Sequence, residues 1–387
     1  MAFMVAEKHK KETQPSLIEY ARDALIHERK RKKQIYEDLL IPTSLRLNEI
    51  ERYHIIKIFE HITIAAENEI RLYLVDLLED DAPLSVIMLL NDPTKHLTLE
   101  WLSDSILLRD QTFVAMLIRR MRTSFLQKNC HKRQYHKSPK NSDIIDSLIG
   151  QMDADIALSA MVLLIAESRQ ISHLNNPILS RTDLSAELQY KLLWWVAACL
   201  RSCLLEAQLS EEQVDQALSK AVRQALTQYD EGSTLEARAL KLARHLHKYR
   251  KLSDEFILQS AMDGHTALMV AALAIRSGVN HHYIWDIVLN EDESPLLLLL
   301  KAIGMPRQMA ASLAFQLTGH SLDNHQIAEK VKAFEALSQS DADKALALWR
   351  LDECYRESIC EIENRYKTAR EKKAYIASPD FFQQDCL

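Results

Sequence analysis

The sequence predicts an all-α protein, and three observations support that prediction. The chain has only 6 glycines and 9 prolines among its 387 residues, whereas average usage is roughly 7% and 5%. Parallel α/β folds and β-sandwiches need these residues for their tight turns. Hydrophobic residues make up 47% of the chain, and they recur at helical spacing in one segment after another. Short polar connectors separate these segments, as they do in stacked helical hairpins.

The predicted architecture is a series of stacked helical hairpins, HEAT-like or solenoid-like, followed by a long C-terminal helix. A chain of 387 residues is too long for one ordinary core. A solenoid avoids that limit because each repeat packs only on its neighbours. Residues 1–42 predict a basic N-terminal helix with a cationic run at 29–33, and it ends at Pro42 because proline cannot continue a helix.

A first helical block follows at residues 43–180. Its amphipathic segments alternate with connectors that contain aspartate and proline. The predicted helices are 48–65, 69–78, 84–90, 97–102 and 112–121. A basic segment at residues 127–142 contains almost no apolar residues, so we expect an exposed loop there.

A second helical block is predicted at residues 181–320. It begins with a helix that Ser185 can cap and that is apolar on most sides around Trp194 and Trp195. A helix that is apolar all round is buried all round, so we expect this one at the centre of the structure. Further helices are predicted at 211–228, 234–248, 254–262, 267–275, 281–288, 295–302 and 306–317. Glycines that favour left-handed helix ends follow several of them, namely Gly264, Gly278, Gly304 and Gly319.

The last segment, residues 321–387, is predicted to contain a long charged helix over 341–373 and a tail. Apolar and aromatic residues recur along this helix at heptad-like spacing, and they are Leu348, Tyr355, Ile359, Ile362 and Tyr366. Such a seam can pair with a second copy of the chain to form a homodimer, or it can dock back on the helical body. The sequence leaves both alternatives open.

Charge and hydropathy predict a soluble, cytoplasmic protein. The formal net charge is only −6, which favours solubility and is not the basic footprint of a nucleic-acid-binding protein. No window reaches the roughly 18 uninterrupted apolar residues that a membrane span requires. Residues 1–11 are unlike a secretory signal, because the basic residues follow the apolar ones and the apolar run of six is shorter than the roughly 7–15 residues that a signal requires. The 6 cysteines are scattered, which fits a reducing compartment better than a disulfide framework.

The chain has none of the common motifs that concentrate catalytic chemistry. It contains no glycine-rich phosphate loop, no G-x-S-x-G nucleophile elbow and no H-E-x-x-H zinc motif. We therefore predict no catalytic residue, no cofactor and no enzymatic activity.

Two groups of residues are candidate metal ligands, and both have a simpler interpretation. Cys130, His131 and His136 are zinc-type ligands, but a closed structural site needs four and these three lie among cations. We expect an exposed basic segment instead. Cys199 and Cys203 lie four residues apart in an apolar helix, where free cysteines commonly contribute to core packing. We predict no metal site.

Basic residues near the end of the first block are the best candidate binding surface. They could form one positive face for an anionic ligand or a partner, and they are Arg119, Arg120, Arg122, Lys128, Lys132 and Arg133. Aromatic residues that could stack on bases are sparse there, so specific nucleic-acid binding is disfavoured. The alternative interpretation is a solvated face without a ligand.

Three stretches of the chain carry a resemblance to a known family. They are Glu69-Ile70-Arg71 with Leu74 and the connector 104–110, the tryptophan-pair segment 190–201, and the alanine- and glycine-rich segment 258–306. Together they resemble the bacterial DUF2336 family, a domain of unknown function, over about residues 45–320. The chain departs from the family pattern at Val75, where alanine is expected. The resemblance implies a helical, repeat-like fold and brings no known reaction.

These observations predict a non-catalytic helical-repeat protein that acts as a protein-interaction scaffold or regulator. Stacked helix pairs create extended surfaces for partners, and the chain shows no concentrated chemistry. The alternative is a sensor that binds a small anionic ligand, such as a nucleotide, between the helical blocks near Arg119.

Overall fold

The computed structural model describes residues 47–79, 82–103, 110–134, 143–171, 184–207, 209–290 and 294–318. Towards the C-terminus it describes residues 331–332, 334–356, 358–359, 361–362 and 365–366. All regular structure in these residues is helical, with no strand among them. The all-α prediction is confirmed. The predicted basic helix at 1–42 lies outside the described residues.

The chain forms two compact units, Met1–Tyr53 and His54–Leu387. In the first unit only residues 47–53 are described, and they contain a helix start. The Asn48 side chain accepts a hydrogen bond from the Glu51 backbone N–H at 2.8 Å, and the Glu51 carboxylate accepts one from the Asn48 N–H at 2.9 Å. This reciprocal pair is a capping box, which satisfies two otherwise unpaired donors.

The helices are numbered in chain order as follows. They are α1 (Glu49–Leu78), α2 (Leu84–Asn91), α3 (Leu99–Ser103), α4 (Gln111–Gln134), α5 (Ile144–Ile149), α6 (Ala154–Ile171), α7 (Ala186–Glu206), α8 (Glu211–Thr227), α9 (Leu235–Lys248), α10 (Asp254–Met262), α11 (Thr266–Ser277), α12 (His281–Val288), α13 (Ser294–Ala302), α14 (Arg307–Thr318) and α15 (Gln339–Trp349). A short 3₁₀ turn, Glu231–Ser233, precedes α9. None of the described helices is long and apolar enough to cross a membrane.

Local signals place several helix ends where the sequence predicts them. The hydroxyl of Ser185 accepts a hydrogen bond from the Leu188 N–H at the start of α7, so the predicted cap is confirmed. Gly278 ends α11 in the left-handed region with φ +70°. Gly264 and Gly304 also have positive φ, as predicted, while Gly319 lies outside the described residues. A residue without a Cβ adopts this conformation at little cost.

Two predicted boundaries in the first block are wrong. The segments 48–65 and 69–78 form the single helix α1, because no glycine or proline interrupts residues 66–68. The helix α4 continues to Gln134, so residues 127–134 are helical and not part of an exposed loop. Lysine, arginine and glutamine are good helix formers, and a polar composition by itself does not end a helix. Residues 135–142 lie outside the described residues.

The centre of the core is α11 and not the tryptophan-pair helix. Ten of the 12 residues of α11 are buried, and α9, α10 and α12 pack around it. By contrast, α7 is buried along one side only, since Trp194 and Trp195 are half-buried and Tyr190 is 53% exposed. The four alanines of α11 let neighbouring helices approach from every direction, whereas the bulky aromatics of α7 lie at its edge. The predicted central position of α7 is therefore wrong.

The helices pair as neighbours, but the contacts are not limited to neighbours. Adjacent helices pack as α5 on α6, α7 on α8, α10 on α11 and α13 on α14. However, α4 also packs on α10 and α14, which come much later in the chain. A strict solenoid lacks such long-range contacts. The solenoid-like detail of the prediction is not confirmed.

The predicted long C-terminal helix is interrupted. Helix α15 ends at Trp349, and the next helical turn begins after Asp352, whose carboxylate accepts hydrogen bonds from the N–H groups of Cys354 and Tyr355. Because this side chain caps a new turn, one continuous helix over 341–373 is wrong. Leu348 and Tyr355 consequently do not lie on one uninterrupted seam.

Candidate functional site

Helix α6 exposes an apolar face, which we call the α6 apolar face. Its members are spaced at helical intervals, and they are Leu158, Met161, Leu164 and Ile165, with exposed fractions of 63%, 48%, 36% and 50%. No charged residue occurs between Ala157 and Ala166. Large apolar side chains that cluster on a charge-free surface are typical of protein interaction sites.

The opposite side of α6 explains why this face points outward. Ile156, Ala160 and Leu163 are buried, and the helix packs there against α5 and α9. The hydroxyl of Ser159 and Nδ1 of His245 lie 3.0 Å apart, which adds a polar link to α9. The middle of α6, from Ala157 to Ala166, carries apolar residues on both sides, yet the core covers only one side of it.

Two of the six predicted basic residues contact α12 or the residue that follows it. The Arg119 guanidinium lies 2.9 Å from Nδ1 of His282 and donates to a carboxylate oxygen of Asp286 at 3.0 Å. Arg122 donates to the carbonyl of Leu289 at 3.5 Å. These contacts link α4 to α12, so two of the six residues of the predicted positive face stabilise helix packing.

The other predicted site residues are only partly described. Arg120 is half-buried on α4. Lys128, Lys132 and Arg133 lie on α4, but their side chains are not among those that the structure describes. In the predicted seam Leu348, Tyr355, Ile362 and Tyr366 are exposed and Ile359 is half-buried.

A cleft lies at the junction of α9, α11 and α12, and we call it the Arg244 cleft. Its volume is about 380 Å³. The lining residues are Leu240, Arg244, Ala274, Ile275, Gly278, Val279, Asn280 and His281. His281 and His282 are adjacent in the sequence at the start of a predicted helix. No sequence pattern singles out Arg244, because it resembles any other cation on the solvent face of an amphipathic helix.

The electrostatic environment of the Arg244 cleft is positive. Burial is the largest cause that lowers the pKa of His281, and the nearby charges of His282, Arg119 and Arg244 lower it further, to about 4. The imidazole is therefore neutral at physiological pH. Burial and Arg119 also lower the pKa of His282, against opposing contributions from Glu353, Asp286 and Glu231.

A buried histidine between two carboxylates forms a second candidate site, which we call the His265 cluster. One ring nitrogen of His265 lies 2.6 Å from Glu167, and the other lies 2.9 and 3.0 Å from the two oxygens of Asp143. His265 is 7% exposed and Glu167 is 6% exposed. Asp143 precedes α5, Glu167 belongs to α6 and His265 precedes α11, so the cluster joins three helices.

The chemistry of the His265 cluster favours a structural role. Burial lowers the pKa of His265, but hydrogen bonds and charges from Asp143 and Glu167 outweigh burial and raise it to about 10. The imidazolium holds both protons at neutral pH and donates one to each carboxylate. A general base needs a free ring nitrogen and a pKa near the working pH, and this histidine has neither.

The described residues contain no group of His, Cys, Asp and Glu side chains that could hold a metal ion. Cys199 and Cys203 are half-buried free thiols. Burial, followed by the neighbouring Cys203 and Glu67, raises the pKa of Cys199 to about 11, so it stays a thiol, while metals bind the thiolate. The side chains of Cys130, His131 and His136 lie outside the description.

The arginine of the Glu69-Ile70-Arg71 motif has a visible structural task. Arg71 is 3% exposed, and it donates to the carbonyls of Leu89 and Asp92 at 3.1 and 3.2 Å. The nearby Glu67 carboxylate accepts a hydrogen bond from the Thr98 hydroxyl at 2.6 Å. The two buried side chains hold the end of α2 and the start of α3 against α1.

A comparison with known protein families matches residues 139–347 to DUF2336, described as an uncharacterised protein conserved in bacteria. The match covers more than half of the chain. The chain belongs to this family. The DUF2336 region contains the α6 apolar face, the Arg244 cleft and the His265 cluster. No curated protein and no solved structure matches the chain.

The DUF2336 match places two of the three sequence motifs inside the family region. The tryptophan-pair segment 190–201 and the segment 258–306 lie within residues 139–347. The stretch from Glu69 to residue 110 precedes the matched residues, so the family region begins later than the sequence resemblance indicated. It also extends beyond residue 320 into α15.

Proposed function

We propose that this chain is a non-catalytic protein that acts as an interaction scaffold or regulator in the bacterial cytoplasm. The α6 apolar face is the observation that carries the proposal. It presents four large apolar side chains to solvent on a helix whose opposite side packs against α5 and α9. A partner that buries this face removes apolar area from water, which contributes on the order of 1–2 kcal/mol for each half-exposed side chain.

The non-catalytic part of the proposal is supported by the polar clusters. In the His265 cluster both ring nitrogens are already engaged with carboxylates, so no group is left to move a proton. The half-buried free thiols of Cys199 and Cys203 fit a reducing cytoplasm. The family description supplies no reaction that would argue otherwise.

A second copy of the chain is one partner to consider, through the tail. Tyr355, Ile359, Ile362 and Tyr366 follow the break at Asp352, lie in helical residues and are spaced for one helix face. Leu348 is separated from them by that break. Homodimerisation through the tail therefore rests on a shorter seam than the sequence predicts.

The α6 apolar face can be tested with a charge-introducing double variant, Leu158→Glu with Met161→Glu. The full chain and the variant are used as bait in native cell extracts, and their masses are measured by light scattering. We expect the unchanged chain to capture a stoichiometric protein partner and the variant to lose it, because a buried glutamate without a partner is costly.

Leu72→Glu provides the matched control, since Leu72 is 65% exposed on α1 and carries the same type of change on another helix. The control should keep the partner, and all three proteins should melt at similar temperatures. Retention of the partner by the α6 variant would place the interaction elsewhere. Absence of any stoichiometric partner, together with turnover in an activity screen, would overturn the proposal.

A further inference from the structure

The polar side chains that line the Arg244 cleft offer hydrogen-bond donors, and none of them carries a negative charge. They are Arg244, Asn280 and His281. The side-chain oxygen Oδ1 of Asn280 accepts a hydrogen bond from the backbone N–H of His282 at 3.0 Å, which leaves the side-chain N–H₂ group as a donor. Among the described residues no carboxylate forms an ion pair with Arg244, and its guanidinium keeps five N–H donors for a ligand.

Charged residues on the surrounding helices also favour an anionic ligand next to His281. Arg119 approaches from α4 and Arg244 from α9, and both act on His281. The acidic groups of this region, which are Glu231, Asp286 and Glu353, act on the neighbouring His282. Asp286 is also occupied by its ion pair with Arg119. Because the His281 imidazole is neutral, Arg244 is the residue that brings positive charge to the lining of the cleft.

The remaining walls of the cleft are apolar. Leu240 and Ile275 are half-buried, while Ala274 and Val279 are buried. A volume of about 380 Å³ lies at the lower end of the range for small-molecule sites, roughly 300–1,000 Å³. A ligand that suits this cleft combines an oxyanion with a compact apolar body.

We propose that the Arg244 cleft binds a small phosphate monoester with an apolar organic group. Arg244 engages the phosphate oxygens in a bidentate pair, and Asn280 and His281 donate further hydrogen bonds. The organic group lies against Leu240 and Ile275. This site goes beyond the interaction role of the α6 apolar face, and it lies within the second helical block rather than between the blocks.

Phenyl phosphate, inorganic phosphate and phenol are the probes that test the site on the full chain. Binding is followed by the histidine resonances of the NMR spectrum and by thermal shift at up to roughly 10 mM, where even millimolar sites are filled. Phenyl phosphate should raise the pKa of His281 from about 4, because a nearby anion favours the imidazolium. It should bind at least about tenfold more tightly than inorganic phosphate or phenol, because it uses both the donors and the apolar walls.

Arg244→Gln should weaken phenyl phosphate binding about tenfold or more, because it removes a charge-assisted pair. Arg223→Gln, which changes an exposed arginine of α8 that does not line the cleft, should leave binding unchanged. The proposal is overturned if no probe perturbs His281, if Arg244→Gln binds like the unchanged chain, or if inorganic phosphate and phenyl phosphate bind equally well. Equal binding would show that the apolar walls take no part.

Discussion

His265 shows how one side chain can join three helices. Its ring donates to Glu167 of α6 and to Asp143, and Asp143 also caps α5 by accepting a hydrogen bond from the Ile145 N–H at 2.8 Å. Removing one partner of a buried, hydrogen-bonded charge pair typically costs about 3–5 kcal/mol, because the other charge is left without compensation. The cluster therefore matters for the integrity of the core.

The His265 cluster predicts a loss of stability at alkaline pH. The pKa of this histidine rises from 6.5 to about 10 on folding, so the charged form stabilises the native state fully below pH 6.5. That stabilisation is lost as the pH rises through about 10. Urea unfolding of the full chain between pH 7 and pH 10 should show a falling unfolding free energy, on the order of 3 kcal/mol across this window.

His265→Gln should be less stable at pH 7 and should show a flatter pH dependence over the same window. His247→Gln, which changes an exposed histidine of α9, controls for the general titration of lysine and tyrosine and should follow the unchanged chain. A His265→Gln variant with the full alkaline loss would contradict the assignment.

At the scale of helices, the ends of α5 and α11 carry two glycines with different requirements. Gly278 has φ +70°, and a Cβ there would lie 3.3 Å from Nε of Arg350. Gly150 follows α5 with φ −75°, and a Cβ there would meet nothing closer than 3.8 Å. Only the first position requires glycine.

Gly278→Ala should therefore lower the melting temperature, with a cost of about 1 kcal/mol or more from the left-handed backbone and the close arginine. Gly150→Ala should be neutral or slightly stabilising, since alanine restricts the unfolded chain without straining the native one. Differential scanning calorimetry of both variants measures the contrast. Equal changes in melting temperature at the two positions would show that the backbone angle φ does not determine the cost of the substitution.

The exposed face of α6 and the half-buried face of α7 are also features of whole helices. Both helices are rich in apolar residues, and the sequence predicts complete burial for α7. The structure buries α11 instead, because its small side chains admit neighbours all round. Which apolar helix becomes the centre depends on how side-chain volumes fit together, and helical periodicity does not contain that information.

At the scale of the whole second unit, α15 and the residues up to Arg356 dock on the helical body. Leu346 and Trp349 belong to the same apolar core as α13 and α14. The Arg350 guanidinium donates to the carbonyl of Ser277 at 2.7 Å, and Arg356 lies 3.8 Å from the centre of the Tyr283 ring. For α15, docking on the body is the alternative that the structure supports.

Two leucines of α15 test this docking. Leu346 is 6% exposed, whereas Leu348, a residue of the predicted seam, is 37% exposed. Leu346→Ala should lower the unfolding free energy by about 2–3 kcal/mol through lost burial and a residual cavity. Leu348→Ala should cost less than about 1 kcal/mol. Urea denaturation followed by circular dichroism measures both, and a larger cost at Leu348 would favour a role for the seam instead.

The candidate site illustrates how far sequence reasoning reaches. Arg119 belongs to the predicted positive face, and its charge acts on His281 of the cleft. Arg244 and the His265 cluster were missed. In that cluster the partners of His265 are 98 and 122 residues away along the chain. No local sequence pattern therefore indicates that they meet.

The sequence by itself determined the all-α class, many helix ends and the family. These depend on interactions within a few residues, such as the Ser185 cap and the left-handed conformation of Gly278. Tertiary structure decided that α11 is central, that α6 keeps an apolar face in solvent and that Arg244 and His281 line one cleft. Those features depend on contacts between distant segments, where packing volume and the pairing of buried charges select one arrangement among many that share the same local pattern.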